Sequence, residues 1–159
     1  MRETSEGETV LLVASGRPWL ATALDSVLEE TGHPVVRAAD ADELFEKLEG
    51  ERPGLVVLDA ELPGGGTREI CEAVAGGPEG PALPLLVYAS GLPDDAWHAE
   101  VIDAGAWQLL REPIRARSLV ATVRRMLDLR RRVAGSRARL KLREGQELEV
   151  SGVLTIRGG

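Results

Sequence analysis

The chain has 159 residues, 43% of them hydrophobic and 28% charged, with aromatics at only 3%. This suits one ordinary domain with an appendage, its core built from Leu, Val, Ile and Ala. The net charge of −7 disfavours nonspecific binding of nucleic acid or anionic membrane, no run approaches the roughly 18 apolar residues of a membrane span, and a lone cysteine, Cys71, rules out an internal disulfide.

Residues 1–8, MRETSEGE, are polar, lack an apolar signal region and are expected to be disordered. With the unpaired cysteine, this points to a reducing, cytoplasmic location. Five short apolar runs follow: Thr9–Ser15, His33–Ala39, Gly54–Ala60, Leu83–Ser90 and Ala106–Leu110. Three are nearly continuous in Leu and Val, the pattern of parallel strands buried on both faces.

Amphipathic segments alternate with these runs. Pro18–Glu30 places Leu20, Leu24, Val27 and Leu28 on one stripe, with the proline in the first turn. Asp40 is placed to cap a helix whose apolar face is Leu44, Phe45 and Leu48. Thr67–Ala75, Asp94–Ala104 and Arg115–Arg132 complete five strand–helix units. Such alternation predicts right-handed crossovers and an open, doubly wound α/β sheet.

After Arg132 the pattern changes. A Gly-Ser break at 135–136 precedes two alternating β-like runs, ARLKLRE and ELEVSGVLTIR, so residues 133–159 read as a linker and a β-hairpin-like extension or the start of an effector domain. The stretch from Arg124 to Arg143 is rich in arginine with Asp128 as its one acid; it could touch phosphates or an acidic partner, but a solvated basic helix end is the commoner reading.

Sites in doubly wound sheets lie beyond the carboxyl ends of the strands. The positions to inspect are therefore Ala14 and Ser15, Asp59, Ala89 and Ser90, and the segment from Leu110 to Pro113. LPGGGT is glycine-rich, but no Gly-Lys-Ser/Thr follows and it is no P-loop. His33 and His98 lack a second ligand at metal-binding spacing, and Cys71 reads as a small core side chain.

The strand end LVVLDAELP, the DAGA before the last strand and the EP after it resemble the receiver domain of bacterial response regulators, over roughly Thr9 to Arg131. The resemblance implies a five-stranded parallel sheet of flavodoxin-like topology and places Asp59 at the phosphoacceptor position, with Pro63 four residues on. It also implies an acidic pair for Mg²⁺ after the first strand, a Thr or Ser after the fourth, and a Lys after the fifth. Those groups would neutralise and position a transferring phosphoryl.

This chain departs from that pattern. Ala14 and Ser15 stand where the acidic pair belongs, Ala89 replaces the hydroxyl and Glu112 replaces the lysine. Ser90 is adjacent to Ala89, but alternation along a strand points it to the opposite face. Glu112 near Asp59 is expected to favour the protonated aspartic acid. Arg17 and Arg111 are the cations that could close the pocket with an internal ion pair, and Trp19 is expected to pack on a neighbouring helix rather than cover it.

Leu109 occupies the position of a rotating aromatic, and Thr67 replaces a glycine eight residues after the acid. Trp97 and Trp107, with Leu109, mark the face that receivers use for dimers and partners. The expectation is a non-enzymatic, atypical receiver that needs no metal or other cofactor. It would act by phosphorylation-independent contact with a protein partner or a second copy, with no direct nucleic-acid or membrane binding by the receiver part. The alternative is a phosphoaccepting receiver that uses Asp59 and Mg²⁺ despite the degenerate site. An enzyme on a flavodoxin-like scaffold is disfavoured, because ASGRPW supplies only Ser15 and Gly16 for cradling a flavin.

Overall fold

The computed structural model describes residues 9–77, 79–91 and 94–142, with the helical backbone alone from 134 onward. The strands are β1 (Leu11–Ala14), β2 (Val35–Ala38), β3 (Leu55–Asp59), β4 (Leu85–Ala89) and β5 (Gln108–Arg111). The helices are α1 (Pro18–Leu28), α2 (Ala41–Glu51), α3 (Thr67–Ala75), α4 (Asp95–Asp103) and α5 (Ala116–Leu142). All strands are parallel, in the order β2-β1-β3-β4-β5. This is the doubly wound α/β fold that the alternation of apolar runs and amphipathic segments implies.

Strand alternation divides the core into two layers. Leu12, Ala14, Val56, Leu58 and Val87 face α2, α3 and α4, packing with Leu44, Ile70, Cys71 and Val101. Leu11, Val13, Leu55, Val57 and Leu86 face α1 and α5, packing with Leu20, Leu24, Leu28, Leu119 and Val123. Every residue of β1, β3 and β4 is buried, which is why these runs carry no polar residue before their carboxyl ends. Each fully buried leucine contributes about 1.5–3 kcal/mol.

Local signals set the helix starts. Pro18 occupies the first turn of α1. Asp40 accepts from the Glu43 amide at 2.8 Å, and Glu43 reaches back to the Ala39 amide at 2.7 Å, a reciprocal cap that starts α2. Asp94 caps α4 by accepting from the Trp97 amide at 2.7 Å, without a reciprocal bond. The α1 segment ends sooner than expected: after Leu28 it tightens into a 3₁₀ turn, Glu29–Thr31, closed by Gly32 in the left-handed region.

The carboxyl-terminal reading needs correction. Helix α5 continues past Arg132 to Leu142, through the expected Gly-Ser break and into the first expected β run. A single interior glycine costs only about 1 kcal/mol, and the surrounding Ala, Leu, Arg and Lys are strong helix formers. Propagating an existing helix is also easier than nucleating a hairpin. The remainder of that extension, and residues 1–8, lie outside the described residues.

Gly105, in the DAGA segment, has φ +129°, and a Cβ there would sit 2.8 Å from the Ala75 Cβ. The turn from α4 into β5 therefore lies against α3 with no room for a side chain. Gly105→Ala is expected to cost about 1–3 kcal/mol, read as a lower urea midpoint at unchanged slope.

Candidate functional site

The strand order reverses between β1 and β3, so the crevice at their carboxyl ends is where a doubly wound sheet places its site. Asp59 ends β3 there, 1% exposed, and Ser15 follows β1, 5% exposed. A buried carboxylate needs partners, and this one has four donors. Arg17 grips it with both arms of the guanidinium, Nη2 to Oδ1 at 2.7 Å and Nε to Oδ2 at 2.9 Å. The Ser15 hydroxyl donates to Oδ2 at 2.8 Å and the Glu61 amide to Oδ1 at 2.9 Å.

Two oxygens offer about four lone-pair directions, so the hydrogen-bonding capacity of Asp59 is filled. Among the described residues, no buried side-chain nitrogen or oxygen lacks a partner.

The backbone explains how Arg17 arrives. Gly16 lies so close to the β3–α3 loop that a Cβ would meet the Pro63 ring at 2.7 Å and the Ala39 carbonyl oxygen at 2.9 Å. Only glycine allows that approach. The Arg17 amide then donates to the Ser15 hydroxyl at 3.2 Å, a local turn, and Pro18 starts α1. Arg17 is thereby held in extended backbone with its side chain over Asp59. Its Nη1 donates to the Ser90 hydroxyl at 3.2 Å and lies 3.6 Å from Glu61.

Two expectations are corrected at this point. Ser90 does reach the pocket, because it lies just beyond β4, where strand alternation no longer applies. Trp19 is 60% exposed and stands beside the pocket mouth, its ring 5.4 Å from the Arg17 guanidinium, instead of packing on a neighbouring helix.

The electrostatics also reverse an expectation. Burial pushes the Asp59 carboxyl up, but the Arg17 hydrogen bond, those from Glu61 and Ser15, and the Arg17 charge together outweigh it. Its pKa sits below the ordinary carboxylate value, so Asp59 is ionised and not protonated. Arg17 is held above its usual value, first by its hydrogen bond to Asp59.

Glu112 is exposed and accepts the Tyr88 hydroxyl at 2.8 Å. The tyrosine is pushed up to about 12, by burial first and then by its bond to Glu112, and it remains a donor. Tyr88 was not singled out in the sequence, although a tyrosine in an aliphatic strand signals a polar tip in need of a partner.

Ala14 and Ala89 are buried among apolar side chains and give the crevice no polar atom. Arg111 is exposed and makes no ion pair among the described residues. Trp97 and Trp107 are half-buried against the two core layers, and the Trp107 indole donates to the Pro81 carbonyl at 3.1 Å. Leu109 is 9% exposed, in the core. The Cys71 thiol is buried and pushed up to about 12, chiefly by that burial. Among the described residues, no group of three or more His, Cys, Asp or Glu could hold a metal ion.

Residues 11–124 match the family model of the response regulator receiver domain. The chain is a member of the receiver family. Relatives include the transcriptional regulatory protein AfsQ1 of Streptomyces coelicolor, 30% identical over 117 residues, covering 74% of this chain and 50% of that protein. The alkaline phosphatase synthesis transcriptional regulatory protein PhoP of Bacillus subtilis is 28% identical over 147 residues, covering 92% and 59%.

This receiver thus spans about half the length of those two relatives. A putative response regulator from Chloroflexus aurantiacus superposes with TM-score 0.70 at 27% identity, covering 76% of this chain and 98% of its own. A CheY-like receiver from Methanospirillum hungatei shares the fold, with TM-score 0.72 at 22% identity, covering 79% and 98%.

The residues of this receiver do not fit a resident Mg²⁺. Alanine and serine stand where the family's acidic pair belongs, and the remaining carboxylate already takes four donors. The site instead works as a clasp joining the loops after β1, β3 and β4.

Removing Arg17 leaves a buried, uncompensated charge, so Arg17→Ala should lose about 2–4 kcal/mol, somewhat under the usual figure because Arg17 is partly exposed. Arg17→Lys, unable to form the fork, should recover only part of that loss in urea unfolding. Because the folded pKa of Asp59 is depressed, its stabilisation is present above the unfolded value of about 3.9 and is lost as pH falls through that value towards the folded one. The stability gap between wild type and Asp59→Asn should hold from about pH 7 to about pH 5 and shrink below about pH 4.

Proposed function

We propose that this receiver acts as a phosphorylation-independent protein–protein interaction module in signalling or transcriptional control. The observation that carries the proposal is the saturation of Asp59 by Arg17, Ser15 and the Glu61 amide. Phosphoryl transfer requires a free carboxylate oxygen for attack, and cations placed to neutralise the incoming group. Here the nucleophile is engaged, the acid pair is gone, and the lysine position holds a carboxylate bound to Tyr88.

Activity then belongs to a surface. The exposed acids Asp94, Asp95, Glu100 and Asp103 belong to α4 and its cap, and the exposed Arg111, Arg115 and Arg117 to the end of β5 and the start of α5. Between β5 and α5 runs a groove of about 410 Å³ lined by Leu109, Ile114, Arg115, Ser118 and Thr122. Opposite charges on neighbouring elements allow a two-fold related copy to pair acid with base, so this face suits a homodimer or a protein partner.

AfsQ1 and PhoP are transcriptional regulatory proteins about one and a half times as long as this chain. That supports an effector following the receiver, and membership of the receiver family is consistent with a cytoplasmic setting. No helix among the described residues is long and apolar enough to cross a membrane. The proposed role needs neither a metal nor an organic cofactor and involves no turnover of a substrate.

Incubation with a small acyl phosphate and Mg²⁺, followed by intact mass measurement, should give no phosphate increment in wild type and none in Arg17→Ala, which frees the carboxylate but restores no metal site. An increment in wild type that disappears in Asp59→Asn would establish the phosphoaccepting alternative instead.

A further inference from the structure

Helix α5 is longer than the domain requires. Its 27 residues span about 40 Å, while strands of four or five residues span about 13–17 Å. Leu127 and Arg130 already lie against Gly54, at the amino end of β3 and opposite Asp59, so the turns beyond them run past the sheet. Where the helix leaves the body, Leu129 and Val133 are each 38% exposed, four residues apart on one face.

The residue pattern along this stretch has a period of seven. Met126, Leu129, Val133, Ser136 and Leu140 fall at alternating spacings of three and four, the a and d positions of a coiled-coil seam. Met126 is buried against the domain, so the seam begins in the core and emerges from it. The flanking e and g positions are Arg125, Arg130, Arg132, Arg137 and Arg139, every one an arginine.

Flanking charges decide which helix can pair with such a seam. A parallel second copy would set Arg132 against Arg137 and Arg125 against Arg130, like against like. Asp128 is the one acid between Arg124 and Arg143, and Arg131 at 3.4 Å and Arg132 at 2.9 Å already engage it. Nearer the domain, Arg130 pairs with Glu79 at 2.8 Å and Arg125 donates to Gln108 at 3.0 Å, so it is the flank beyond Val133, Arg137 and Arg139, that a partner's acids would answer. Nucleic acid would answer the arginines but leave Leu129 and Val133 in water. A helix with an apolar stripe and glutamates on both flanks satisfies both features.

We propose that the projecting end of α5 is a docking helix for an acidic amphipathic helix of a partner protein, joined as a heterotypic coiled coil. The site lies at the opposite end of the sheet from Asp59 and acts whether or not that residue takes a phosphate.

The test is anisotropy titration of the full chain into a labelled synthetic helix of about four heptads with Leu at a and d and Glu at e and g. Saturable one-to-one binding is expected, weakening with added salt and falling at least about tenfold for the doubly substituted Leu129→Gln, Val133→Gln chain. Both positions are exposed, and circular dichroism should show that variant folded.

No saturable binding, binding untouched by the double substitution, or equal binding of a peptide with Lys flanks would each overturn the proposal. It would also fall if the chain alone forms a dimer in sedimentation equilibrium that the double substitution dissolves. Binding of duplex DNA in place of the peptide would assign the arginines to phosphates and overturn it as well.

Discussion

A buried aspartate at the end of a parallel strand must be paid for by its neighbours, and here one arginine does most of that. The two-armed contact between Arg17 and Asp59 neutralises the charge, fills half of the carboxylate's bonding directions and ties β1 to β3 at the reversal of strand order. Ser15 and the Glu61 amide fill the other half. Because Arg17 also reaches Ser90, one guanidinium couples the ends of three neighbouring strands. A group that a receiver would need free for chemistry is committed to holding loops together.

The clasp depends on backbone more than on charge. Gly16 lets the first loop pass against Pro63 and Ala39, and the Ser15 turn and Pro18 then fix where Arg17 begins. An arginine elsewhere in that loop would be an ordinary solvent-facing cation. The carboxylate at the lysine position is handled separately: Glu112 takes the Tyr88 hydroxyl at the exposed edge of the site, so the two acids have different partners. With Asp59 held by four donors, the proposed role falls to the outer faces and the far end of α5.

Much of the fold was legible in the residues. Parallel strands covered on both sides must be apolar throughout, so β1, β3 and β4 stood out as unbroken runs, and Asp40 marked its helix start directly. Ala14, Ser15, Asp59, Ala89 and Glu112 could be placed at or just past the strands' carboxyl ends, because that position is set by local pattern. The end of α5 was misread: alternating Arg and Leu in ARLKLR fits a strand by periodicity, yet its residues continue a helix already nucleated upstream.

By itself the sequence determined the architecture, the loss of the acidic pair and the survival of one carboxylate, since these follow from residue identity and short-range spacing. Only the tertiary structure decided which cation meets Asp59, that Ser90 joins it, and that Glu112 turns to Tyr88. Those contacts join residues 24 to 73 positions apart, and their distances depend on how loops pack at a few ångströms, to which sequence periodicity is blind.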